Sequence, residues 1–145
     1  MSAAVYPSDQ TRPRISLSNA LAPLRVVGGL SASFKADNGK TSIRSLAEHG
    51  GYRLKFPDSF SPAVEAVTVN TGGGVAGGDR VRFDIGAGLG ANATIATATA
   101  ERIYRSTGTA SEIDVNLTAG PASTLAWLPQ ASILFSGARL KRRFE

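Results

Sequence analysis

The chain of 145 residues has no cysteine and only one histidine, one tryptophan and one methionine. The lack of cysteine excludes disulfides and thiolate metal sites and suits a reducing cytosol. One histidine cannot build an imidazole cage, and His49 within "AEHGGY" reads as a solvated turn residue without partners. No serine has a histidine placed to complete a triad. No apolar run approaches the ~20 residues of a membrane helix. The opening "MSAAVYPSDQTRPR" lacks the basic start and apolar stretch of a secretory signal. The body also lacks an excess of one charge. The net charge is +5, yet residues 26–138 hold 9 basic and 9 acidic residues. The excess lies in Arg12, Arg14 and Arg25 at one end and Arg139, Lys141, Arg142 and Arg143 at the other. A nucleic-acid face concentrates positive charge on the folded body, so nucleic acid is not the expected partner.

What is present is strand pattern. Pro7, Pro13 and Pro23, mixed with serine and arginine, mark residues 1–25 as a loose arm, with a short helical turn expected in "LSNALAPLRVV". From there on the period is two. Leu30, Ala32 and Phe34 alternate, as do Tyr52, Leu54 and Phe56, then Val81, Phe83 and Ile85, then Ile113, Val115 and Leu117. Asn38-Gly39 between alternating runs predicts a tight hairpin. "AVEAVTVN" is a β-branched strand, and alternating threonine outweighs alanine to predict a strand over 91–100. Pro129, between two apolar runs, predicts a turn or a change of partner. Trp127 is expected in the core. Residues 26–145 therefore read as a mainly β domain. Its last alternating run, Leu140 to Phe144, has no closing turn, so an unpaired edge strand or frayed tail is expected, in a sheet left incomplete at the C-terminal side.

The densest feature is "VNTGGGVAGGDR", residues 69–80. Gly72, Gly74 and Gly77 match G-x-G-x-x-G by letter. A dinucleotide site needs a helix after the glycines, whereas the Val81–Phe83–Ile85 alternation predicts a strand. A Walker loop needs lysine where this chain has Gly78-Asp79. The reading is a wide hairpin or bulge whose glycines admit close backbone approach, by a neighbouring strand or a partner protein. Asp79 is expected to accept backbone N–H bonds in its own turn, and Glu101 with Arg102 to form a surface pair. No active site assembles, and the chain reads as a non-enzyme.

Three stretches together resemble the urease accessory protein UreD (UreH) family. The first holds Asn70, Thr71, Gly72, Gly73, Gly74, Gly77, Gly78 and Asp79. The second, "TATAERIYRS", holds Glu101, Tyr104 and Arg105. The third, "LAWLPQASILFSGARLKRR", holds Trp127, Pro129 and Gln130. The resemblance implies layered β-sheets with helix-like winding and a cytoplasmic, non-catalytic factor. That factor acts with UreF and the GTPase UreG to insert nickel into apo-urease, with GTP held by UreG. It implies no tightly bound cofactor but nickel in transit, with Asp79 and Glu101 as the acids of a passage. The chain departs from the family's pattern in having Ala131 directly after Pro-Gln and Ser136 after "ILF", where acids or an amide are usual. Family members also continue further, so a truncated or degenerate copy is an expectation. The alternative function is an autonomous β-domain that binds anionic ligands, such as nucleic acid, through basic tails.

Overall fold

The structure is a computed structural model and describes residues 25–145. The arm expected over residues 1–25 lies outside the described residues but for Arg25, and of the stretch expected to form a helical turn only Arg25–Val27 are described, with Val27 opening the first strand. Eleven strands follow, with no helix among the described residues. They are β1 (Val27–Asp37), β2 (Lys40–His49), β3 (Tyr52–Lys55), β4 (Val64–Asn70), β5 (Arg80–Ala87), β6 (Asn92–Thr97), β7 (Glu101–Ile103), β8 (Ser111–Ala119), β9 (Thr124–Leu128), β10 (Ser132–Leu134) and β11 (Leu140–Phe144).

The first pair is the expected hairpin. Asn38 and Gly39 both take positive φ, 49° and 75°, so the turn matches the twist of β1 and β2. After it the chain winds. A five-stranded sheet has the order β11-β8-β5-β1-β2, a four-stranded sheet the order β3-β4-β6-β9, and a two-stranded sheet the order β10-β7. From β4 on, consecutive strands thus lie on different walls, and strands of one wall stack in parallel one winding apart. Val81 pairs with Ile113, 32 residues on, Ala93 with Leu125, 32 on, and Arg102 with Ile133, 31 on. This is the helix-like winding that the resemblance implies. The antiparallel strands β2 and β3 flank one end of the stack, and β9, β10 and β11 are the edge strands at the other.

The core fills the space between the walls. Leu30, Phe34, Phe83, Ile85, Ile113 and Val115 enter from the large sheet, Tyr52, Leu54 and Ile95 from the second, and Ile103 from the third. Each large apolar side chain buried here contributes roughly 1.5–3 kcal/mol. Phe83 is the hub, with ring centroids 5.3 Å from both Tyr52 and Trp127. Trp127 is only half-buried, packed against the core rather than enclosed by it. β3 ends at Lys55, leaving Phe56 exposed outside the strand expected to carry it. β6 is shorter than the expected 91–100, because the chain turns toward the third wall after Thr97. Pro129 does mark a change of partner: β9 pairs with β6, and β10 with β7.

Candidate functional site: a glycine rung and a row of cavities

The glycine stretch carries the chain from β4 in one sheet to β5 in another, so it is a crossover and not the hairpin expected from its composition. It supplies the third wall of the first winding. Val75 bridges in parallel to Ile103, its N–H bonding Arg102 O at 2.8 Å while Tyr104 N–H bonds Val75 O at 2.9 Å. The close approach comes from this neighbouring strand. A Cβ on Gly74 would lie 2.4 Å from Tyr104 Cε2, and one on Gly77 would lie 2.1 Å from Ser106 Oγ. The strand β5 that follows excludes a helix N-terminus at Gly77–Asp79.

Asn70 and Asp79 hold the two ends of the crossover. Asn70 Nδ2 donates to Tyr52 Oη and to Gly74 O, both at 3.1 Å, and its Oδ1 accepts from Gly72 N–H at 2.9 Å. Thr71 Oγ1 donates to Gly51 O, and Gly72 and Gly73 are exposed. Gly78, at positive φ, turns the chain into Asp79. Asp79 is buried, at 5% exposure. It accepts from Ala76 N–H within its own turn, as expected, and from Val26 N–H on β1's approach, both at 2.8 Å.

Among the described residues, cavities lie between the walls. One of about 210 Å³ runs past Asp79, Tyr52 and Tyr104, and one of about 310 Å³ past Thr68, Thr97, Glu101 and Ile133. Tyr52, Asn70 and Gly74 line both. A third, about 30 Å³, has room for one water. It shares Thr97 and Glu101 with the second and is closed by Trp127, Pro129, Gln130 and Arg142. Gln130 N–H is held by Thr97 Oγ1 at 2.8 Å.

Glu101 is the carboxylate at this junction. The surface pair with Arg102 expected from sequence does not form. Alternation on β7 turns Arg102 to the exposed side, and Glu101 meets Arg142 Nη2 at 2.5 Å from across the structure. Burial pushes the Glu101 carboxyl above its ordinary range, against the opposing pull of Arg142 and of the Tyr52 hydroxyl. Burial also pushes the Tyr52 hydroxyl well above the usual phenol range, and the charges of Glu101 and Asp79 add to this, so it stays protonated. Tyr104 stacks on Phe135 and donates to Gly73 O, and Arg105 bridges to Ala138. Ala131, where the resemblance expects an acid, accepts from Glu101 N–H through its carbonyl. Ser136 is exposed. Among the described residues no three Asp, Glu or His side chains converge to hold a metal. Of the basic residues at 141–143, Arg142 pairs with Glu101, while Lys141 lies 3.9 Å from Glu112 and Arg143 3.5 Å from Asp114 on exposed side chains.

The family profile described as UreD urease accessory protein matches residues 26–145. The chain belongs to the UreD family. It is 44% identical to the urease accessory protein UreD of Rhodopseudomonas palustris (strain BisA53) across 97% of this chain and 48% of that protein. With UreD of Xanthobacter autotrophicus the figures are 43% across 99% of this chain and 50% of the relative. With UreD of Azorhizobium caulinodans they are 44% across 83% and 44%. The chain therefore spans about half the length of the curated UreD relatives it matches. The UreD stretches singled out in sequence, around Asn70, Glu101 and Trp127, fall on neighbouring rungs around one row of cavities.

Proposed function

We propose that this chain acts in urease maturation as a non-catalytic UreD component, working with UreF and UreG in the cytoplasm to bring nickel to apo-urease. Beside the family membership, one observation carries the reading: the row of cavities between the walls, with Glu101 at a junction and Asp79 at the far end. Hydroxyl, amide and single carboxylate groups suit a passing cation, because sparse oxygen donors hold nickel weakly where imidazole clusters would trap it. Asp79 already receives two backbone N–H bonds, so Glu101 is the better exposed of the two acids to a cation in the passage.

The test is complementation in a cell that has urease, UreF and UreG but lacks its own UreD. The wild-type chain is expected to restore urease activity and to co-purify with UreF and apo-urease, and Glu101→Gln to restore less. In calorimetry the chain is expected to bind nickel weakly and no GTP. A wild-type chain that neither restores activity nor captures UreF would overturn the proposal.

A further inference from the structure

Arg142 is the group that the sequence hid best and that the cavity row explains. It lies on β11, the edge strand of the large sheet, which is paired only to β8. In register, Arg142 sits opposite Ile113, on the face that looks into the core, whereas its neighbours Lys141 and Arg143 face outward to Glu112 and Asp114. The side chain crosses to the third wall. There Nη1 donates to Ser132 Oγ at 2.9 Å and Nη2 to Glu101 Oε2. Glu101 and Thr97 are the two residues that line both the 310 Å³ cavity and the 30 Å³ one, and Arg142 lines only the smaller. A guanidinium thus sits against the carboxylate at the junction.

We propose, resting on the delivery reading above, that Arg142 is a displaceable lock on Glu101: while the ion pair is made, a divalent cation cannot use this carboxylate to pass between the two cavities. The reason is like-charge repulsion at contact distance in a partly desolvated site, where screening is weak. Arginine suits a lock better than lysine. Its planar fork holds Ser132 and Glu101 together, and it cannot be neutralised by losing its proton. A free carboxylate at the junction therefore requires movement of the Arg142 side chain, which keeps a quarter of its surface exposed. Arg142 is a positioning residue: it sets when Glu101 is available and does not itself hold the cation.

Nickel chloride alone, titrated into the 145-residue chain by calorimetry, tests this. Arg142→Met keeps the aliphatic stem and removes the charge, and should bind nickel about tenfold tighter than wild type. The double variant Glu101→Gln, Arg142→Met should lose that gain. Arg142→Lys keeps a charge but cannot hold both partners, and should fall between. A merely structural clamp would lower the unfolding temperature of Arg142→Met without raising nickel affinity. If Arg142→Met does not fold, Arg142→Lys against wild type decides. Unchanged affinity in the folded variants, or a gain that survives Glu101→Gln, overturns the lock. The delivery reading fails on a different readout, the complementation of urease activity by the wild-type chain.

Discussion

Gly77→Ala isolates the reason for the glycine-rich stretch. Gly77 has no positive φ, so alanine there meets only a steric objection. Its Cβ would lie 2.1 Å from Ser106 Oγ and 2.4 Å from Ser106 Cβ, where carbon atoms normally rest at about 3.5–4.0 Å. Ser106 cannot swing away without breaking its bond to Thr109 O at 2.8 Å. Overpacking of this kind costs up to about 3 kcal/mol. The stiffer unfolded chain of alanine returns about 0.4–1 kcal/mol. The expected net loss is about 2 kcal/mol, read as a lower urea midpoint at constant slope. Ser106→Gly removes both clashing atoms and leaves Ser106 Cα at 3.1 Å as the nearest neighbour. It is itself destabilising by about 1–2 kcal/mol, through the lost hydrogen bonds and the freed backbone. In that background Gly77→Ala should cost under about 1 kcal/mol, so the double-mutant cycle should show a coupling of about 1.5 kcal/mol. Gly108→Ala, where a Cβ meets nothing within 4 Å, is the control and should stay within about 0.5 kcal/mol of wild type. Additive effects, or a neutral Gly77→Ala, would refute the packing account and return the glycines to a role facing a partner.

Asp79→Ala should destabilise by roughly 1–3 kcal/mol in urea unfolding, because it strips two partly buried backbone N–H groups of a charged acceptor. Glu101 is raised in the folded state, so its stabilising contribution is complete below the unfolded carboxylate pKa and is lost as pH rises through the folded one. The stability difference between wild type and Glu101→Gln should therefore fall with rising pH across that window, and a rising difference would contradict the burial argument. Asp84 has the opposite sign. The Arg82 hydrogen bond holds it below its usual range, so its small contribution is present above the unfolded pKa and fades as pH falls through the folded one. Fluorescence melts of wild type and Asp84→Asn between neutral and acid pH should diverge only in that direction. Leu134, 63% exposed on an edge strand, should promote self-association, and Leu134→Lys should shift sedimentation toward monomer.

The parts of this fold legible in sequence are those whose physics is local. Asn38-Gly39 fixes a turn through its own φ preferences, and Val81, Phe83 and Ile85 declare a strand face through their own spacing. The walls were not legible. Val81 finds Ile113 and Ala93 finds Leu125, partners 32 residues away, and no periodicity inside a single strand encodes which distant rung it will stack on. Composition alone therefore predicts a hairpin for the glycine stretch. Its spacing showed that a backbone must come close but not that the visitor was the Glu101–Ser106 segment one winding later. Only the resemblance to a family supplied the winding.

The same physics makes the candidate site only half-legible in sequence. Asp79 was legible because an acid after glycines bonds within its own turn, and its Ala76 bond is three residues away. Adjacency in sequence points Glu101 to Arg102, yet adjacent residues on a strand point to opposite faces. The correct partner had to lie on another rung, and Arg142, 41 residues on, was hidden in a run of four basic residues within "RLKRR". Alternation does carry a signal there. Leu140, Arg142 and Phe144 share a face, so a strand over 140–144 with two apolar neighbours inward must also turn Arg142 inward. An arginine on the apolar face of a strand needs a carboxylate or hydroxyl to meet it. Tyr52 gave no such sign. It belongs to an ordinary apolar alternation with Leu54, and its bond to Asn70 and its place beside Glu101 in one cavity exist only because the walls close around it.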